Sequence, residues 1–251
     1  MMDLAYEERS DLAAYLRTLS GDDWQAASLC DGWSVKDVVA HVVSYEELGT
    51  VGLIKRFIRG RVVNANEVGV QDFASYTPAE LVQFLERHLH PQGLTSGFGG
   101  MIALVDGTIH HQDIRRTLGH PRAVPIERIE RILPLVPRNP RLGAGKRVKG
   151  LRLRANDVDW QHGDDGPEVV GTGEALLMAM AGRVRRPIIP QRTAYLTGTL
   201  LRRVVTQGHS KPIRDAKLIA AGKTGTSSRT SDVWFVGHTS RWMTTAWVGD
   251  D

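Results

Sequence analysis

Four amphipathic helical patterns in the first 120 residues constrain the fold of this 251-residue chain more than any other feature. In each pattern apolar residues recur every three or four positions, which is typical of a helix with one buried face. Ser34 and Asp37 form an S-x-x-D capping signature before the second pattern, and Thr77 precedes a proline and a glutamate before the third. The predicted helices span about 4–19, from Ser34, from Thr77, and about 101–116. Their lengths predict an antiparallel four-helix bundle over residues 1–120, in which the segment 49–75 is ambiguous.

The chain changes character beyond Pro121. Short apolar segments alternate with Gly, Pro and Asp turns, which predicts a small α+β domain over residues 121–186 that packs on the bundle. The predicted elements are a helix over 126–135, strands over 151–154, 157–160 and 168–170, and a helix over 172–183. We therefore expect an α+β fold class for the whole chain.

The composition excludes several classes of protein. Hydrophobic residues make up 41% and charged residues 24% of the chain, which excludes wholesale disorder and collagen-like structure. No run approaches 18 uninterrupted apolar residues, and the acidic N-terminus lacks the features of a signal peptide. The single cysteine, Cys30, excludes an internal disulfide and a multi-cysteine zinc site. These observations predict a cytoplasmic protein with no membrane partner.

The positive charge is concentrated at the C-terminal end. Residues 183–251 contain 12 Lys/Arg and 4 Asp/Glu, a balance of +8, whereas the formal net charge of the whole chain is +4. A basic tail can indicate nucleic-acid binding. This one lacks a stacking motif, a zinc-finger spacing or a helix-turn-helix pattern, so we expect no nucleic-acid partner.

A candidate metal site combines residues of two predicted helices. Asp106 and His110 are four residues apart and therefore share one face of the fourth helix. His41 occupies an inward position on the second. An aspartate is costly to bury unless a positive group compensates it, and one carboxylate with two imidazoles suits Zn²⁺ or a similar ion with an open fourth position. The alternative is an Asp–His pair on the helix surface and a histidine satisfied in the core.

The remaining histidines and the cysteine are weaker candidates. His111 is expected to point off the inward stripe, His88 has no carboxylate partner on its face, and His90 and His120 lie in predicted loops. Cys30 is either a nucleophile or a buried structural thiol. Because the sequence identifies no base for it, the structural interpretation is favoured.

Two arginines follow the candidate site. Arg115 and Arg116 lie one turn beyond His110 and could anchor a substrate carboxylate through forked hydrogen bonds. Alternatively, they complement the dipole at the C-terminal end of the helix. The second interpretation is the favoured one.

The segments around these residues resemble a known family. Residues 29–41 have the sequence LCDGWSVKDVVAH, and residues 106–119 have the sequence DGTIHHQDIRRTLG. Both resemble the mycothiol-dependent maleylpyruvate isomerase family of actinobacteria, which belongs to the DinB-like metal-binding four-helix bundles. Residues 151–157 and 166–171 are also similar to family members, so that the resemblance covers about residues 3–183.

The resemblance implies a site and a chemistry. It implies metal ligands at His41, Asp106 and His110, although some members have glutamate where this sequence has Asp106. It further implies a divalent metal, with zinc expected, and mycothiol as a thiol cosubstrate that attacks a small electrophile after metal binding deprotonates it. The function expected is therefore that of an isomerase or S-transferase. A metal-binding bundle without catalysis is the alternative.

The C-terminal 65 residues have a different character. A predicted helix over about 192–208 is followed by strands over 221–226, 231–237 and 242–250, and the first strand contains a K-T-G-T motif. The motif consists of Lys223, Thr224, Gly225 and Thr226. This order resembles the end of the transpeptidase domain of bifunctional penicillin-binding proteins, over residues 187–251.

This segment lacks the rest of a transpeptidase site. Catalysis of that kind needs an S-x-x-K nucleophile and an S-x-N element, and no serine of this chain begins either motif. We therefore predict a non-catalytic fragment, and cell-wall transpeptidation is the least favoured function. The strands lack most of a parent sheet, which predicts poor packing and exposed apolar edges.

Overall fold

The computed structural model describes residues 1–61, 64–183, 191–207, 221–226, 232–238 and 243–249. The chain divides into two compact units, Met1–Val184 and Arg185–Asp251. Helices dominate the first unit, and small sheets occur in both. The predicted α+β class and the helical bundle with a small β appendage are thereby confirmed.

Seven helices form the N-terminal part of the first unit. Their bounds are α1 Met2–Leu16, α2 Gly21–Gln25, α3 Val35–Val43, α4 Thr50–Arg59, α5 Ala65–Asp72, α6 Pro78–Arg87 and α7 Gly97–Leu118. Helices α1, α3, α6 and α7 pack against one another as the bundle. The ambiguous segment 49–75 contains α4 and α5. Helix α1 ends at Leu16, three residues before the predicted end at 19, and α2 begins after a serine cap at Ser20.

Two predicted capping motifs start α3 and α6. The Ser34 side chain accepts from the backbone N–H of Asp37, whose carboxylate accepts from the backbone N–H of Ser34. Thr77 and Glu80 make the same reciprocal pair before α6. Each box satisfies backbone donors that the first helical turn leaves unpaired, so both predicted starts are confirmed.

Apolar side chains of the four bundle helices meet in a continuous core. The fully buried ones include Leu12, Leu16, Val38, Val39, Leu81, Leu85 and Ile114. A second cluster lies where α1 and α7 meet the following segments and includes Leu104, Ile129, Leu133, Leu153 and Leu177. Burial at helical spacing explains why the sequence pattern identified these four helices.

A buried ionic cluster joins α1 to α7 and to the chain that follows. The Glu8 carboxylate is completely buried and accepts from His111 Nδ1 at 2.8 Å and Arg122 at 2.6 Å. Its other oxygen accepts from Arg128 at 2.7 Å. Because two arginines and a histidine surround one carboxylate, the burial of its charge is compensated.

The appendage is a three-stranded sheet with flanking helices. Its elements are α8 Ile126–Ile132, a 3₁₀ turn Val136–Arg138, α9 Ala144–Arg147, β1 Arg152–Ala155, β2 Gln161–His162, β3 Glu168–Gly171 and α10 Gly173–Met180. The strand order is β2-β1-β3, with β1 antiparallel to β2 and parallel to β3. Leu153 on β1 pairs with His162 and with Val169.

One predicted strand of the appendage is wrong. Residues 157–159 form bends, and the strand lies at Gln161–His162 instead. The Asp157 carboxylate accepts from the backbone N–H of Gly173 at 2.7 Å and thus helps to satisfy the start of α10. Aspartate side chains commonly bond to backbone in this way and favour turns over strands.

The second unit contains one helix and one sheet among its described residues. These are α11 Gln191–Gln207, β4 Ala221–Thr226, β5 Asp232–His238 and β6 Met243–Gly249. The sheet is antiparallel in the order β4-β5-β6, with Thr224 opposite Phe235 and Trp234 opposite Trp247. None of the helices in the described part of the chain is both long and apolar enough to span a membrane.

Candidate metal centre

Helices α3 and α7 bring the three predicted ligands together. His41 lies in the last turn of α3, and Asp106 and His110 lie one turn apart in the middle of α7. The His41 Nε2 atom is 3.6 Å from Asp106 Oδ2, and His110 Nε2 is 3.4 Å from Asp106 Oδ1. All three ligand atoms lie within 4.8 Å of one another. The spacing that the sequence suggested is therefore realised in space.

These separations fit ligands of one ion better than hydrogen bonds. Distances of 3.4 and 3.6 Å exceed the 2.7–3.2 Å that is usual for N–H···O hydrogen bonds. In a tetrahedral zinc site with bonds of about 2.0–2.1 Å, neighbouring ligand atoms are about 3.3 Å apart. Two imidazole nitrogens and a carboxylate are also a donor set that zinc accepts. The residues present thus fit a divalent metal ion.

Burial and charge act together on this cluster. Both imidazoles are buried, whereas the Asp106 side chain is 36% exposed and opens the cluster to one side. Burial alone would raise the pKa of Asp106, but the adjacent His110 and His41 outweigh it and hold that pKa well below its usual value. Burial alone would lower the pKa of His110, but the neighbouring Asp106 and Asp113 outweigh it and hold that pKa well above its usual value. The cluster therefore favours positive charge beside the carboxylate.

Asp113 orients one of the imidazoles. His110 Nδ1 donates to Asp113 Oδ2 at 2.9 Å, which leaves the Nε2 atom to face Asp106 and His41. Asp113 is completely buried and also accepts from the guanidinium of Arg183 at 3.0 Å. Metal-binding histidines commonly make such a bond through the second ring nitrogen. Sequence reasoning missed Asp113, although it stands three residues after His110 and hence close to the same face.

Aromatic rings surround the other imidazole. The ring centroid of His41 lies 5.1 Å from that of Trp33 and 6.3 Å from that of Tyr45. Within the described part of the chain, His41 Nδ1 is a buried atom with no hydrogen-bond partner. His41 is therefore positioned by packing, whereas a carboxylate positions His110.

Cys30, which the sequence predicts to be a buried structural thiol, lies beside this cluster. Its Sγ atom is 3.1 Å from Asp113 Oδ2 and 3.5 Å from His110 Nδ1, and Arg183 approaches it at 3.3 Å. The thiol is partly exposed rather than buried. The sequence could not identify the imidazole near Cys30, because His110 is 80 residues away along the chain.

Arg115 and Arg116 point elsewhere. The Arg115 guanidinium lies 3.7 Å from the Tyr15 ring centroid and donates to His111 Nε2 at 2.9 Å. Arg116 forms a bidentate pair with Glu174 at 2.6 and 3.0 Å. Among their described contacts none reaches the His41, Asp106 and His110 cluster.

Two of the other histidines have carboxylate neighbours on other segments of the chain. His111 is fully buried, and its ring bonds to Glu8 on α1, so it faces the interior on a second side of α7. His88 does have a carboxylate neighbour, since its Nε2 atom is 3.4 Å from Glu47. Neither histidine belongs to the candidate centre, which consists of His41, Asp106 and His110.

The K-T-G-T segment is an exposed stretch of strand. Lys223, Thr224 and Gly225 lie on β4 and are exposed, and Lys223 Nζ donates to the carbonyl of Thr224. Thr226 ends the same strand, and its side chain is outside the described set. The strand geometry agrees with the predicted secondary structure.

The fold and the cluster define a helical-bundle protein with a His/Asp/His donor set fit for a divalent ion. Residues 5–90, about a third of the chain, match the family model described as the mycothiol maleylpyruvate isomerase N-terminal domain. The resemblance to the mycothiol-dependent maleylpyruvate isomerase family that the sequence predicted is thereby confirmed.

Solved structures support the same fold. A crystal structure of the mycothiol-dependent maleylpyruvate isomerase is similar with a TM-score of 0.50 and 15% identity. The match covers 75% of this chain and 94% of that chain. A histidine-to-alanine mutant of that isomerase matches equally well. The bundle and its appendage are therefore the fold of a known isomerase.

Three penicillin-binding proteins also share a short region with this chain. The 1A protein of Pseudomonas aeruginosa is 40% identical over 65 residues, 26% of this chain and 8% of its own length. The 1B proteins of Haemophilus influenzae and Escherichia coli are 34% and 37% identical over 68 and 65 residues, which are 26% and 25% of this chain and 9% and 8% of theirs. This chain thus spans less than a tenth of the length of these relatives.

Proposed function

We propose that this protein is a metal-dependent enzyme that uses mycothiol to attack a small electrophile, as an isomerase or S-transferase of the maleylpyruvate isomerase type. The observation that carries the proposal is the convergence of His41, Asp106 and His110 within 4.8 Å on a fold similar to that isomerase. The match of residues 5–90 to the family's N-terminal domain supports it.

The residues of the cluster have distinct parts in this proposal. His41 and His110 would hold the ion through their Nε2 atoms, and Asp106 would supply an oxygen and offset part of its charge. A bound divalent ion such as Zn²⁺ stabilises a thiolate and so makes a thiol nucleophilic near neutral pH. The exposed side of Asp106 leaves room for thiol and electrophile to approach.

Asp113 prepares His110 for this role. By accepting a hydrogen bond from Nδ1–H, it keeps Nε2 directed at the shared point. If maleylpyruvate is the electrophile, thiol addition across its cis double bond allows rotation about the resulting single bond. Elimination of the same thiol then gives the trans isomer, so that thiol is neither consumed nor oxidised. The electrophile itself is proposed by likeness to the family.

Metal analysis and a thiol-dependent assay test the proposal together. We expect the purified protein to bind about one zinc ion and to isomerise maleylpyruvate only when mycothiol is added. His41→Ala should lose the metal and at least about a hundredfold in activity, because only two ligands remain. His90→Ala is the matched control, since His90 is exposed and outside the cluster.

The outcomes separate the two readings of the site. A protein that binds zinc through His41 but shows no thiol-dependent turnover with maleylpyruvate or other electrophiles would be a metal-binding bundle without catalysis. A protein that binds no divalent ion, and is unchanged by His41→Ala, would contradict the proposal altogether.

We also propose that residues 187–251 are a transpeptidase-like fragment without catalytic activity. Support comes from the similarity to three penicillin-binding proteins, from the K-T-G-T strand β4 and from the lack of S-x-x-K and S-x-N motifs in the sequence. Lys223 and Thr224 alone have no nucleophile to assist.

A further inference from the structure

Helix α4 exposes three of its apolar side chains on one face. Val51, Ile54 and Ile58 are 66%, 54% and 72% exposed. They are spaced i, i+3 and i+7 and therefore form one continuous stripe along the helix. Single exposed apolar residues are ordinary, but a contiguous stripe of them marks a surface that something else covers.

A buried arginine holds the helix in this orientation. Arg56, on the opposite face of α4, donates to the carbonyl of Ser44 at 2.5 Å and to Asp72 at 3.0 Å. Its guanidinium also lies 5.0 Å from the Tyr45 ring centroid. Turning α4 to bury the apolar stripe would break these contacts. They are the contacts that compensate the guanidinium for its loss of water. The outward stripe is thus selected by the fold.

Positive charge borders the stripe. Lys55 and Arg59 each follow a stripe residue and are exposed, and Arg61 lies just beyond the helix. Arg59 is within 3.1 Å of Asp72 but remains more than half exposed. From residue 50 to residue 61 the sequence contains no Asp/Glu, and three of its four Lys/Arg, namely Lys55, Arg59 and Arg61, are exposed. The exposed face of α4 is therefore apolar along its centre and cationic at its edge.

We propose that this face docks on an anionic lipid surface. An interfacial helix inserts its apolar face shallowly among acyl chains while neighbouring Lys and Arg contact anionic headgroups, and α4 presents that arrangement. The inference concerns peripheral contact, so it agrees with the absence of a spanning helix in the described residues but revises the prediction of no membrane partner. It is independent of the proposed thiol chemistry.

Other occupants fit the observations less well. A stable protein interface buries about 800 Å² on each partner, which three side chains cannot supply. A second copy of α4 would also present the same positive charge and would therefore supply no opposite charge to Lys55 and Arg59. Shallow insertion into an anionic bilayer meets neither difficulty, since the lipid supplies the opposite charge.

Vesicle binding of the full chain tests the proposal. We expect co-sedimentation with equimolar phosphatidylcholine and phosphatidylglycerol vesicles, and little with pure phosphatidylcholine. Ile54→Gln/Ile58→Gln should lower the partition coefficient at least about tenfold, and Lys55→Gln should weaken binding further at low salt. Ile126→Gln, at an exposed position on α8, is the matched control and should bind like the parent.

Three results would overturn the proposal. They are equal binding by the Ile54/Ile58 variant, equal binding to both vesicle types, and a concentration-dependent dimer that the same substitutions abolish, which would assign the stripe to a second copy. Val51→Gln tests the same stripe by a single milder change, and circular dichroism of each variant shows that the fold is kept.

Discussion

At the residue scale, the candidate centre depends on a hydrogen bond that orients a ligand. The Asp113 carboxylate is buried between His110 and Arg183 and accepts from both. An imidazole can bind a cation only through an unprotonated nitrogen, and the bond to Asp113 determines which of the two nitrogens that is. In the function proposed above, this bond would direct His110 Nε2 toward the metal.

We therefore expect Asp113→Asn to weaken zinc binding by about 10–100-fold while leaving the fold intact. Asparagine keeps the size of the side chain but lacks the charge that favours the Nδ1–H tautomer. Competition with a chromophoric chelator measures the affinity directly, without an activity assay. Asp164→Asn, in an exposed turn, serves as the control. An unchanged zinc affinity would remove Asp113 from the site.

The same scale shows what the sequence could predict about the centre. Asp106 and His110 were identifiable because a spacing of four places two side chains on one helix face. Their meeting with His41 required two helices to pack in one register. Cys30 and Arg183 also converge there, from positions 80 and 73 residues away from His110, and local periodicity contains no information on such contacts.

At the scale of elements, the Glu8 cluster joins α1, α7 and α8. Burial would raise the pKa of Glu8, but His111, Arg122 and their hydrogen bonds lower it to about 2. Burial is the main cause that lowers the pKa of His111 to about 4. Arg115 donates to the second nitrogen of this ring, which therefore must be neutral. The folded state binds fewer protons at both sites than the unfolded chain does.

The free energy of unfolding should consequently decrease as the pH is lowered, in two overlapping ranges. His111 causes the loss of stability between about pH 6.5 and 4, because its imidazole is protonated in the unfolded chain at a higher pH than in the folded protein. Glu8 contributes between about pH 4.5 and 2. Urea unfolding at several pH values measures how steeply the free energy of unfolding changes with pH. His111→Gln should flatten it between pH 6.5 and 4, and an unaltered slope in that variant would contradict the assignment.

Elements also differ in how well sequence predicts them. The starts of α3 and α6 were predictable because their caps are local, within four residues. Helix α4 was not, since its inward arginine and outward apolar stripe reverse the usual pattern. Asp157 similarly replaced a predicted strand with a turn by bonding to a residue 16 positions later.

At the scale of the whole molecule, the chain combines two unequal compact units. The first, Met1–Val184, contains the bundle, the appendage and the candidate centre. The second, Arg185–Asp251, has one helix and a three-stranded sheet among its described residues. Among the described strands β6 pairs only with β5, so it is an edge strand of this sheet.

Limited proteolysis should cut within residues 185–251 well before it cuts the bundle, because sheets of few strands are marginally stable and open more readily than a helical core. Mass spectrometry of the early fragments identifies the sites. A fluorescent β-lactam should leave the intact chain unlabelled. A C-terminal unit as resistant as the bundle, or covalent labelling, would show that the segment is a folded and reactive domain.

The amino-acid sequence by itself determined the helical bundle, the starts of its capped helices and the residue types of the candidate centre. These features depend on periodicity and capping, which act over a few residues. Tertiary structure alone decided that His41 meets Asp106 and His110, that Asp113, Cys30 and Arg183 surround them, and that α4 turns its isoleucines outward. Such outcomes depend on which distant surfaces pack together, and packing is a property of the folded chain as a whole.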